Sequence, residues 1–148
     1  MKKFAFPLER SRAWRRTLWD REQHHLDRLL AELQSLGFRR AQLSAVVTGS
    51  ARTIACRPVL TSRDLQELDH IQHYGSEEDR RLADRARLAE AEIQRQRTAV
   101  LAARRQFEIL DQLRDQQFQA WNRDLAREQE TEVSDLTIAR WKRSDSGP

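Results

Sequence analysis

The chain has 148 residues, 34% of them charged, and its 27 Lys and Arg against 23 Asp and Glu give a formal net charge of +4. Only 4 Gly, 3 Pro and 1 Cys are present, which suits long solvated helices in one domain and leaves little apolar material to wall off a dry catalytic cleft. A single cysteine excludes an internal disulfide, and charge of both signs interspersed along the chain marks a solvated face rather than a nucleic-acid surface, where positive charge gathers on one side.

Residues 1–7 read as an extended lead-in. Lys2 and Lys3 precede an apolar run that stops at Leu8, too short for the core of a signal sequence. No stretch approaches the roughly 20 apolar residues of a spanning helix. The expectation is a cytoplasmic protein that reaches the inner face of a membrane only through partners. Pro7 suits a helix start, where its missing N–H costs nothing, so helix one is predicted over about 7–57. Its apolar residues recur on the three-then-four spacing of a coiled-coil seam: Trp19, Leu26, Leu33, Arg40 and Val47 on one line, Glu22, Leu29, Leu36 and Leu43 on the other. Gly37 and Gly49 lie inside it as soft spots, each costing about 1 kcal/mol relative to Ala. Pro58 ends the helix by disfavouring helical geometry in the residue before it.

An apex segment is predicted over about 58–76. Thr61 and Ser62 offer N-caps for a short helix carrying Leu65, Leu68, Ile71 and Tyr74, with Gly75 as its stop. Ser76 is then the expected cap of helix two, and Glu77, Glu78 and Asp79 place negative charge in its first turn. Helix two runs to about 143, with Ala86, Ile93, Val100, Phe107 and Trp121 on one seam line, broken at Arg114. Ala89, Gln96, Ala103, Leu110 and Gln117 form the other. The tail 144–148 is expected to fray. The fold class is therefore all-α, a long antiparallel two-helix coiled-coil hairpin with a short helix at its apex.

Polar breaks in the seam suggest a register, since a charge facing Leu is costly while a charge facing a polar group is tolerated. Setting Leu36 against Val100 and Leu29 against Phe107 also sets Glu22 against Arg114 and Arg40 against Gln96. It folds the chain about Leu68, brings Arg15 to Trp121 as a cation–π pair, and leaves helix two overhanging from about Asp124.

No nucleotide-binding glycine loop, nucleophile elbow or paired-cysteine motif is present, and His70 with His73 supplies two metal ligands without a third. No catalytic residue, cofactor, metal or small-molecule substrate is expected. The tryptophans are more informative: Trp14, Trp19, Trp121 and Trp141 all fall toward the terminal end. The first three suit a clasp closing the coil and a binding surface equally, while for Trp141 the binding reading is stronger, since it lies beyond any helix-one partner and large apolar anchors are frequent binding hot spots. The same end is basic, with Lys2, Lys3, Arg10, Arg12, Arg15 and Arg16 at the start and Arg140, Lys142 and Arg143 near the finish. At the apex, the line Leu65, Leu68, Ile71 and Tyr74 serves as a cap on the coil or as a docking surface.

The opening Met1-Lys2-Lys3-Phe4-Ala5-Phe6-Pro7-Leu8-Glu9, with alternating Phe and then Leu-Glu before an Arg-rich helix, resembles the start of the flagellar export protein FliJ family. The likeness extends to chain length, the hairpin layout and the late segment from Phe107-Glu108-Ile109-Leu110 to Arg127-Glu128-Gln129. Where the family tends to carry an acidic pair soon afterwards, this chain has Val133-Ser134-Asp135. The resemblance implies a non-enzymatic, stalk-like component of the flagellar type III export apparatus. Such a stalk engages a hexameric export ATPase at its terminal end and links it to a membrane export gate and to export chaperones. Carried over by position, the ATPase-facing residues are Trp14, Arg15, Arg16, Trp121, Arg123 and Arg127, with Arg140 and Trp141 beyond them. The gate- or chaperone-facing residues are Leu65, Leu68, Ile71 and Tyr74. The competing readings are a basic coiled coil that binds nucleic acid and a self-associating scaffold whose unburied flanks pair between chains.

Overall fold

Long runs of good helix formers, with no Pro between Pro7 and Pro58 and none from there to Pro148, leave the backbone free to form two uninterrupted helices. A computed structural model describes residues 3–144 and contains α1 (Glu9–Ala55) and α2 (Ser62–Ser144). The fold is the expected all-α antiparallel hairpin. Helix one starts and ends within two residues of expectation. Pro7 sits in a turn just ahead of it, where the Glu9 amide donates to the Phe6 carbonyl at 3.2 Å. The expected fraying of 145–148 lies outside the described residues, as do Lys2 of the basic opening and the side chain of Arg143.

The separate apex helix is corrected. Residues 62–76 are the first turns of α2, which passes through Gly75 and Ser76 without a break. Thr61 is the N-cap, as expected for one of the two candidates. Its hydroxyl accepts from the Asp64 amide at 3.3 Å, and the Asp64 carboxylate accepts from the Thr61 amide at 2.9 Å, a reciprocal box that satisfies donors at the helix start. Gly75 is not a stop. It is buried against Val47, and a Cβ at Gly75 would lie 2.6 Å from Val47 Cγ2. Its lack of a side chain serves close packing between helices.

The chain divides into two units, one of Met1–Trp19 with Ala103–Pro148 and one of Asp20–Ala102. In the second unit α1 and α2 pack through Leu26, Leu36, Ile54, Leu82, Ile93 and Val100, all buried. Here the expected register is overturned. Gln96 donates to the Glu22 carboxylate at 2.6 Å and to the Glu22 carbonyl at 3.0 Å, and Arg40 makes a two-point bond with Asp79 at 2.8 and 3.0 Å. The first unit departs in the same sense: Arg12 meets Asp111 and Phe4 meets Phe118. The pairing has slid by about two heptads. A whole-heptad slide keeps the same faces inward, so the seam residues remain the ones that pack while their partners change. The cause is the turn. With residues 62–76 in the helix, only 56–61 connect α1 to α2, and so short a connection folds the chain near Val59 rather than Leu68.

Candidate functional site

Two regions carry the residues singled out by sequence, and each lies within one unit. In the terminal unit, the seam is aromatic and cationic. Trp19 stacks on Phe107 with ring centroids 5.7 Å apart. The Arg16 guanidinium lies 5.5 Å from the Trp19 ring and 5.4 Å from Phe107, with Arg12 also over Phe107 and Arg104 over Trp19. Cations over ring faces gain from the ring quadrupole, so these arginines close the seam where Leu would do so elsewhere. Arg12 also bonds Asp111 at 2.8 Å, which holds its guanidinium still more firmly protonated. Trp19 Nε1 is buried with no hydrogen-bond partner among the described residues.

Further along, the lead-in folds onto α2. The Phe4 ring lies 5.2 Å from Phe118, edge-on, and 5.9 Å from Trp121, while Phe118 and Trp121 stack at 5.8 Å. Phe6 is buried. The alternating Phe pattern of the opening thus makes a clasp. Arg15 does not meet Trp121 as the expected register required; it donates to Gln106.

This divides the proposed ATPase-facing set. Arg15, Arg16 and Trp121 are engaged in the seam or the clasp. Trp14 is 62% exposed, and Arg123, Arg127, Arg140 and Trp141 are exposed on the part of α2 that continues past the clasp. Arg127 reaches Asp124 only at 3.8 Å on the surface, a pair of little energetic weight. Between Asn122 and Lys142, Leu125 is the one residue that is half-buried, and the others are exposed. The seam line on which Trp121 is half-buried continues through Leu125 to Glu128, Glu132 and Asp135, so the inward face turns polar there. The apolar residues Val133, Leu136, Ile138 and Trp141 lie exposed off that line.

In the other unit, the line Leu65, Leu68, Ile71 and Tyr74 is split. Leu68 and Ile71 are half-buried, whereas Leu65 and Tyr74 are each 57% exposed. They are joined by two residues that sequence reasoning missed, Val59 and Leu60, both exposed in the connection. An apolar pair directly after Pro58, in a stretch too short to be a strand, was the available signal. Asp64, at the same end of the helix, is buried. Its carboxyl is held below the usual carboxylate range, first by the Thr61 amide and hydroxyl and then by Arg57. Arg57 is paired with Asp64 and lies 3.9 Å from Glu67. Asp79 is likewise held down by its bond to Arg40. His73 lies 3.4 Å from Glu77, and no group of three His, Cys, Asp or Glu side chains among the described residues is placed to hold a metal. No described helix is long and apolar enough to cross a membrane.

Comparison with protein-family models, with curated proteins and with solved structures returns no match to this chain.

Proposed function

We propose that the protein is a stalk-like adaptor of the flagellar type III export apparatus. It engages a hexameric export ATPase with its terminal end and presents its apex to an export-gate protein or an export chaperone. The observation that carries this reading is the continuation of α2 beyond the Phe4–Phe118–Trp121 clasp as an exposed helix bearing Arg123, Arg127, Arg140 and Trp141. A helix clasped at its base, with cationic and aromatic side chains exposed on its flank, suits insertion into an acidic or apolar bore. The resemblance of the opening residues to the FliJ family supports the same reading. So does the use of those residues, since Phe4 helps to form the clasp from which α2 projects. Exposed Val59, Leu60, Leu65 and Tyr74 give the apex an apolar surface of the kind a gate or chaperone groove accepts.

The test is ATP hydrolysis by the cognate export ATPase, with and without the protein. Stimulation that is lost on paired Arg123→Glu and Arg127→Glu substitution, while helicity is unchanged, is the expected result. An ATPase indifferent to the wild-type protein would overturn the proposal.

A further inference from the structure

The part of α2 beyond Trp121 poses a physical problem. Some twenty residues of helix here are exposed with respect to the other described residues, and a helix that lacks a packed face is marginal in water. This one also places Glu128 and Glu132 one turn apart, a like-charge pair that weakens a lone helix. Neither Glu132 nor Arg140 has an ion-pair partner among the described residues, while Val133 is 63% and Leu136 69% exposed. A second helix laid on this face would relieve both conditions.

The order of charges says which helix. From Glu128 to Asp135 there are acids at 128, 130, 132 and 135 and no base; from Ala139 to Arg143 there are bases at 140, 142 and 143 and no acid. A uniformly acidic partner meets the first block unfavourably, and nucleic acid does the same. Another copy in parallel sets acid on acid. A copy running the opposite way sets each block on its complement.

Helical geometry makes this specific. Gln129, Glu132, Val133, Ala139 and Arg140 all lie within roughly 60° of Leu136 around the helix. With Leu136 opposite Leu136 of a second copy, Val133 faces Ala139 and Glu132 faces Arg140, each contact occurring twice as a two-fold axis requires. We propose that the C-terminal part of α2 is a self-association surface on which two copies pair antiparallel about Leu136. The apolar content per copy is small beside a standard interface, so the pair is weak, dependent on concentration and loosened by salt.

The test uses the full chain with Cys56 changed to Ser. Under mild oxidation, Leu136→Cys is expected to yield covalent dimer about tenfold faster than Ile138→Cys, which lies on the opposite side of the helix. Sedimentation equilibrium on chains without these cysteines is expected to give a dimer whose dissociation constant rises about tenfold with Arg140→Glu, since two Glu132 contacts become repulsive. Adding Glu132→Arg to Arg140→Glu should restore it. Circular dichroism is the control, and each variant is expected to remain as helical as the parent. A strictly monomeric chain at low salt leaves the face to a different partner and overturns the proposal. So does a dimer indifferent to Arg140→Glu, which is the behaviour of a parallel pair, or one that the double substitution fails to restore.

Discussion

Gly75 and Val47 touch so closely that a single added carbon at Gly75 would come within 2.6 Å of Val47 Cγ2 and 3.3 Å of its Cγ1. Val is stiff at χ1 and cannot swing aside cheaply. Helix propensity alone favours Ala over Gly by about 1 kcal/mol, and at Gly37 and Gly49, which have open space around them, that gain should appear in full. Gly75→Ala is expected instead to lower stability, by about 1 kcal/mol once overpacking outweighs propensity. Val47→Ala made together with Gly75→Ala should cost less than the two changes added separately, a coupling that denaturant melts of the four proteins would measure.

The Gln96–Glu22 bond defines the register of the Asp20–Ala102 unit. Cysteines at 22 and 96, in a chain with Cys56 changed to Ser, are expected to be bridged within one chain by a short bis-maleimide. Cysteines at 36 and 100 are expected not to be. Efficient bridging of the second pair would return the register to the one suggested by the seam's polar breaks.

Acid should loosen the Asp20–Ala102 unit through Asp64 and Asp79. Both carboxyls titrate below the ordinary Asp value of 3.8, Asp64 through its Thr61 hydrogen bonds and Asp79 through Arg40. A folded value below the unfolded one means that the stabilisation is complete above the unfolded value and is lost as pH falls through the folded value. Melting temperature is therefore expected to be flat from about pH 7 to about pH 5 as far as these groups are concerned, and to fall below about pH 4. Asp79→Asn should melt lower at neutral pH and lose less on acidification. A variant that tracks the parent at every pH would remove Asp79 from this account.

Removing the lead-in clasp should free the base of the projecting helix. Phe4→Ala takes away the edge-on contact with Phe118 and the contact with Trp121, and is expected to cost about 1 to 2 kcal/mol. Hydrogen exchange should quicken around residues 114–125 and remain unchanged near Ile93. Uniform exchange along α2 would show that Phe4 holds nothing in place.

Arg16 and Arg127 separate the two roles mixed in the basic terminal set. Arg16→Glu puts a carboxylate against the Trp19 and Phe107 rings and should lower stability whether or not a partner is present. Arg127→Glu changes an exposed side chain, so its melting temperature should stay within about 2 °C of the parent, a surface substitution altering stability by no more than about 0.5 kcal/mol. Any loss of ATPase stimulation by Arg127→Glu is then a loss of contact.

The sequence carried the helices and the inward faces more clearly than the pairing between them. Leu26, Leu36, Ile93, Val100 and Phe107 were legible because apolar spacing reports which face is inward and repeats every seven residues. That same repetition concealed the register: Gln96 faces a polar residue whether it meets Arg40 or Glu22. The decision lay in the connection, and there Gly75 misled, because a glycine ending a helix and a glycine admitting a neighbour's side chain are indistinguishable in one chain. At the candidate sites, Trp141 was legible as a residue beyond a partner's reach and Arg140 as part of a basic end, whereas Arg123 and Arg127 entered only through the resemblance to the FliJ family. The seam roles of Arg15 and Arg16 were not legible, since an arginine lying over an aromatic ring needs the three-dimensional neighbour to be recognised.

The six-residue connection between Ala55 and Ser62 also bears on how the chain finds its fold. Hairpins displaced by whole heptads keep the same apolar faces inward while exchanging the partners, including those of Gly75, Gln96 and Arg40, so they are the natural competing collapsed states. A tight turn works against them, because each displaced state must melt helix to lengthen the connection. Refolding is then a search along a ladder with seven-residue rungs, and the turn supplies the slope that leads down it.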